Sequence, residues 1–118
     1  MKAYIYSIRS LVDDEVLYVG STNDFNKRKN QHYSALDRQA HPSKTLQKVY
    51  NSLNGNVYMK SEFVFDDKVY PKRIVEYFYT SFLMPHCNRT FNMSNGKKFD
   101  NMKLIDSELA KEIIEKIV

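Results

Sequence analysis

Hydrophobic and polar positions alternate from Ala3 to Arg9, where Tyr and Ile recur, and the same character returns from Glu15 to Gly20 after the acidic stretch Asp13, Asp14, Glu15. Two period-two runs separated by polar residues predict a β-hairpin. Gly20-Ser21-Thr22-Asn23 then reads as a turn in which Thr22 or Asn23 caps a helix from about Asp24 to Arg38. His41-Pro42-Ser43 ends that helix, because the residue before a proline is pushed out of the helical region. Leu46, Val49, Tyr50 and Leu53 share one face of a second helix, Lys44 to Leu53, which stops at Asn54-Gly55-Asn56.

From Val57 to Phe65 the period returns to two. Val57, Met59, Ser61, Phe63 and Phe65 are expected on one side of a third strand, with Tyr58, Lys60, Glu62 and Val64 on the other. Asp66-Asp67-Lys68 forms a turn, and Pro71 suits the first position of a helix from about Pro71 to Leu83 that Pro85 ends. Asn92 to Asn101 has no periodicity and reads as an exposed loop. Asp106 caps a last helix with the apolar stripe Leu109, Ala110, Ile113, Ile114 and Ile117. The order β-β-α-α-β-α plus a C-terminal helix predicts an α/β domain, a small and mainly antiparallel three-stranded sheet flanked by helices. At 118 residues, without repeats, a single domain is expected: a core over 1–92, with the loop and helix of 93–118 packed on it.

Charge adds direction to this outline. Eighteen Lys and Arg against fourteen Asp and Glu give +4, which permits a polyanionic partner without demanding one. The surplus is local: Lys27, Arg28, Lys29, Arg38, Lys44 and Lys48 face one acid, Asp37, between Lys27 and Lys48, a balance of +5, whereas Phe99 to Val118 carries −2. Such a field would turn a phosphate backbone towards that third of the chain, although a solvated helix face explains the lysines equally well. The single Cys87 excludes an internal disulfide framework and zinc sites built from several cysteines. The opening MKAYIYSIRS is too short an apolar stretch for a signal peptide or membrane span. A soluble intracellular protein without a membrane partner is expected, with cytoplasmic and nuclear locations fitting equally.

The chemistry lies in spacing. Tyr4-Ile5-Tyr6 is followed, after eleven residues, by Tyr18-Val19-Gly20 in the hairpin. Arg28 comes eight residues after Gly20 and His32 four after that, so one helix face presents both towards the strands. Glu76 lies in the helix after the third strand, and Asn88 sits twelve residues further on in Cys87-Asn88-Arg89. Over about residues 3–92 this order resembles the GIY-YIG nucleases, most closely the small stand-alone members and the catalytic domain of structure-specific repair nucleases. Tyr4 stands where the first glycine is usual, and Val19 where the central isoleucine is; neither change removes a reacting group.

That resemblance implies a metal-dependent DNA endonuclease, hydrolysing phosphodiesters by in-line water attack to leave 5′-phosphate and 3′-hydroxyl ends. Glu76 would hold one Mg²⁺ or Mn²⁺, hard ions that take carboxylate oxygen and keep several waters; its plainer alternative is a surface pair with Lys72. Arg28 would offer planar donors to a phosphate oxygen. Tyr6 is the candidate general base, with Tyr18 orienting the water or the phosphate, and positive charge from Arg28, the metal and His32 would favour phenolate. Which tyrosine takes the proton, and whether His32 is its final acceptor, stay open. Asn88 would bond the phosphate or fix the metal's waters, while Tyr4 and Gly20 are structural members of the motif. Lys27, Lys29, Lys44 and Lys48 would contact backbone phosphates, which position DNA without reading it. His41, in the turn between helices, either approaches the site or only breaks the helix with Pro42.

The expected partner is branched, nicked or double-stranded DNA. Only the 92–101 loop and the last helix extend past the core, so structure-selective or weakly sequence-specific cutting is expected, by a monomer or by a homodimer joined through Leu109, Ile113 and Ile117. A non-catalytic nucleic-acid-binding module on the same scaffold is the competing reading.

Overall fold

A computed structural model of the chain describes residues 1–83. Asn88, the 92–101 loop and the helix expected from Asp106 lie outside the described residues. Those described form β1 (Lys2–Ser10), β2 (Val16–Thr22), α1 (Phe25–Asp37), α2 (Lys44–Ser52), β3 (Val57–Asp66) and α3 (Lys72–Leu83). The sheet has the order β2-β1-β3 with both pairings antiparallel, as the hydrophobic pattern predicts. β1 is central, so its side chains meet helices on both faces.

One face carries Ala3, Ile5, Val19, Phe63 and Phe65, which close on Val75, Phe78 and Tyr79 of α3. The other carries Tyr6, Ile8, Leu17, Val57 and Met59, which close on Leu36 of α1 and Leu46 of α2. A sheet covered on both sides reads its two residue sets into two separate cores. Burying one large apolar side chain in either is worth about 1.5–3 kcal/mol before the entropy of ordering it is subtracted.

β3 corrects the expectation that Val57, Met59, Ser61, Phe63 and Phe65 share a face. Val57 and Met59 belong to the α1/α2 core, whereas Phe63 and Phe65 belong to the α3 core. The cause is a register shift: Ile5 pairs with Phe63 but Tyr6 with Ser61, so Glu62 is an extra residue that moves the strand by one phase. The displaced Glu62 accepts hydrogen bonds from Ser7 Oγ at 2.7 Å and Arg9 Nε at 3.0 Å. A half-buried carboxylate there is thus paired with a guanidinium.

The entry to α1 also differs from expectation. β2 continues to Thr22, whose Cα partner on β1 is Tyr4, so the turn is confined to the residues after it. Asp24, rather than Thr22 or Asn23, is the N-cap, and its carboxylate accepts from the Lys27 N–H at 3.0 Å. Asn23 is engaged elsewhere: its amide donates to the Lys2 carbonyl at 2.9 Å and to Asp67 Oδ2 at 3.0 Å, while Oδ1 accepts from Lys72 Nζ. One side chain therefore ties the exit of the hairpin to the start of α3. At the other end of the helical layer, Gly55 takes φ +77° after α2, the left-handed conformation expected of a glycine past a helix end.

Candidate active site

Tyr6 and Tyr18 come from neighbouring strands and stack with ring centroids 6.5 Å apart. Gly20 makes this arrangement possible. It lies opposite Tyr6 across the β1–β2 pair, and a β-carbon there would overlap the Tyr6 ring and hydroxyl. The motif glycine is a space for a phenol, at an ordinary strand conformation. Tyr4 packs outside this pair, its ring tilted against Phe25 with centroids 6.0 Å apart.

α1 lays His32 against both tyrosines, with centroids 5.4 Å from Tyr6 and 5.5 Å from Tyr18. His32 Nε2 lies 2.7 Å from the Tyr6 hydroxyl, and its Nδ1 lies 2.8 Å from His41 Nε2. The two imidazoles are stacked at 5.1 Å. His41 is held in turn by the Ser43 N–H, which donates to its Nδ1 at 2.9 Å. A continuous polar chain thus runs from a backbone amide through two histidines to a phenol.

That chain has a direction. Nδ1 of His41 accepts, so in the neutral ring the proton sits on Nε2 and is donated to His32 Nδ1. His32 then carries its own proton on Nε2 and presents it to the Tyr6 oxygen. The Tyr6 hydroxyl hydrogen is consequently turned away from His32. Burial makes the neutral form the stable one: it holds the His32 pKa down to about 4, with the neighbouring His41 and Arg28 adding to the effect, and it lowers His41 as well.

Burial acts on the phenols in the opposite sense. It raises the Tyr6 pKa well above its usual value, Tyr18 and Glu76 raise it further, and Arg28 opposes them. Tyr18 is raised by burial and by Glu76, again against Arg28. The expectation that positive charge favours phenolate therefore meets a larger desolvation cost, and His32, being neutral, contributes no charge. These fields also locate Glu76. Its carboxylate, half-buried on α3, lies close enough to act on both phenols.

A cavity of about 270 Å³ opens beside this cluster, lined by Tyr18, Arg28, Gln31, His32, His41 and Ser43 among others. Tyr6, Tyr18, Arg28 and His32 are thus brought together, as their spacing predicts. Of the lysines named from charge, Lys27, Lys44 and Lys48 are exposed, while Lys29 lies over the Tyr33 ring at 5.9 Å. Lys72, the alternative partner for Glu76, is drawn to Asn23. Two contributors are barely signalled by sequence. Gln31 could have been found as the residue three beyond Arg28 on the same side of the helix; Ser43 contributes a backbone N–H, which has no side-chain signature.

The arrangement defines a GIY-YIG catalytic domain: the family model of that description matches residues 2–109, and the chain belongs to the family. Intron-associated endonuclease 1 of Enterobacteria phage T4 is 41% identical over 58 residues, which cover 49% of this chain and 23% of that protein. The match spans less than a quarter of that relative's length. The catalytic domain of intron endonuclease I-TevI, solved as a mutant, superposes with a TM-score of 0.62 at 27% identity, over 71% of this chain and 86% of that one.

Proposed function

We propose that this domain is a divalent-metal-dependent DNA endonuclease that leaves 5′-phosphate and 3′-hydroxyl ends. The observation that carries the reading is the meeting of the Tyr18 phenol, a guanidinium and a neutral histidine pair at one cavity, with the buried Tyr6 hydroxyl bonded to His32 behind it and both phenols within the field of a glutamate. Both relatives described above are endonucleases by name, which supports the reaction class.

Glu76 would hold the ion. A single carboxylate whose field reaches both phenols suits Mg²⁺ or Mn²⁺, which keep most of their waters and share phosphate oxygens with the substrate. When bound, the ion would neutralise phosphate charge and acidify a coordinated water.

The chain's own groups then have separable tasks. Arg28 faces the cavity and would bond a non-bridging oxygen, countering charge as the pentacovalent phosphorus forms. Water attacks phosphorus in line with the 3′ oxygen; the new P–O bond forms as the P–O3′ bond breaks, leaving phosphate on the 5′ end. Tyr6 as phenolate takes the proton of that water, and the His32 Nε2–H bonded to its oxygen stabilises the anion beforehand. The departing 3′ oxygen is protonated from solvent. Tyr18 orients water or phosphate at the cavity wall, and Asn88 is retained as a phosphate or water ligand. Lys44 and Lys48 would guide the DNA backbone, as would Lys29 from beside Tyr33. Cutting is proposed to be structure-selective or weakly sequence-specific.

A second reading, a non-catalytic binding module, draws on the raised phenol pKa values, which leave little phenolate at neutral pH. Supercoiled plasmid incubated with Mg²⁺ discriminates the two. Nicking that EDTA abolishes, with nicks that ligase reseals without a kinase, is the expected result; binding without nicking favours the module.

A further inference from the structure

Beside the catalytic cavity, the outer side of α1 forms a shallow groove of about 520 Å³ lined by Lys27, Asn30, Gln31, Ser34 and Arg38. At 100° per residue these five positions make one continuous strip along the helix. All are exposed. Gln31 lines both this groove and the cavity that holds Arg28 and His32, so the two surfaces join. Lys29 lies outside the strip, on the far side of the buried line of His32 and Leu36.

We propose that this strip seats the phosphodiester backbone of the DNA strand leading away from the cleavage cavity, with Gln31 at the junction. The inference rests on the nuclease reading for the identity of the strand. Its chemistry suits phosphates: an ammonium, a guanidinium, two amides and a hydroxyl all supply donors, and these are the groups that contact backbone oxygens. No carboxylate interrupts them. Asp37, the one acid of α1, flanks the strip about 20° around the helix from Asn30, and its carboxylate accepts from the Tyr50 hydroxyl. Arg38 Nε donates to the Ser34 carbonyl at 3.2 Å, which holds the guanidinium along the last turn. Among the described residues, the fold makes no use of the Lys27, Asn30 and Gln31 side chains. From Lys27 to Arg38 the strip is about 16 Å long at the usual helical rise. That matches about five nucleotide steps at ~3.4 Å each, enough for two or more phosphates to be held at once.

Counterion release gives the test. Binding of a short duplex is measured in EDTA, so that nothing is cut, over about 50 to 200 mM salt. The full chain is compared with Lys27→Ala/Arg38→Ala and with a charge-matched control, Lys60→Ala/Lys68→Ala, whose residues are exposed on β3 and in the turn after it. Each phosphate contact contributes about 0.9 to the slope of log K against log salt. The α1 variant is expected to lower that slope by about 1.8 and weaken binding at every salt concentration, while the control keeps the slope of the unaltered chain. An unchanged slope in the α1 variant, or an equal loss in the control, overturns the assignment. An unaltered chain that cuts nothing yet shows the slope difference would refute the nuclease reading and uphold the α1 surface; cutting without the difference would do the reverse.

Discussion

Nδ1 of His41 receives the Ser43 backbone N–H at 2.9 Å, and that bond settles where the proton sits on His32, the next ring along. A main-chain amide cannot exchange roles as a hydroxyl can. It therefore fixes the polarity of the whole chain, and His32 meets Tyr6 as a donor.

His41 is accordingly a positioning residue. His41→Met, which fills the space without a donor, is expected to lower kcat by about 10- to 100-fold, the usual effect of removing an outer partner of a functional histidine. His41→Gln can still donate an amide N–H to His32 Nδ1 and should keep most of the rate. Equal kcat values for the two variants would mean that His41 only packs.

Tyr6 gives the reaction a pH signature. Since burial lifts its pKa above the usual phenol value, phenolate is the minor form throughout the neutral range, and its fraction grows tenfold per pH unit. Single-turnover cutting should rise by about that factor per unit from pH ~6 to ~9. In Tyr6→Phe the rate should be low and its pH dependence weaker. A Tyr6→Phe profile parallel to that of the unaltered protein would remove the proton-transfer role.

His32 couples the site to stability. An unfolded histidine binds a proton as pH falls through about 6.5, but the folded protein resists until about 4. The unfolded state then holds more protons, so the histidine's stabilising effect is complete above that range and is lost as pH drops between the two values. With partial solvent screening the loss is on the order of 2 kcal/mol. Urea midpoints measured across this interval should fall, and His32→Gln should flatten the fall. Identical slopes for both proteins would show that other groups govern the acid limb.

Much of the architecture was readable because each element carries its own period. The hairpin tyrosines, Arg28 and His32 are fixed relative to one another by local spacing, so their meeting follows from the strands and one helix. What escaped depends on contacts distant in sequence. The phase change at Glu62 arises from its pairing with β1, and because Val57, Met59, Phe63 and Phe65 all keep the same alternation along the chain, the sequence does not betray it. Asn23 reads as a cap, yet it is recruited by Lys2, Asp67 and Lys72. His41 looked as much like a helix breaker as a site residue, since its partner Ser43 acts through the backbone. The burial that raises the phenols is likewise invisible in the sequence, where only charge shows.

Gly20 tests the geometry of the hairpin. Gly20→Ala places a methyl group where the Tyr6 ring and hydroxyl lie. Displacing the ring should cost about 1–3 kcal/mol, as overpacking does, and cutting should fall further than stability alone explains, because the His32 bond is lost. Thermal unfolding and single-turnover rates on one preparation check both. A variant with unaltered rate would show that Tyr6 need not hold this position.

The central claim is that a glutamate on α3 completes a site built by the hairpin and α1. Its most direct test is single-turnover cutting of end-labelled duplex in Mg²⁺ by the unaltered protein and by Glu76→Ala, with duplex binding measured alongside. The variant is expected to bind as before and to cut at least ~100-fold more slowly. Cutting at the unaltered rate by a folded Glu76→Ala protein would contradict that claim.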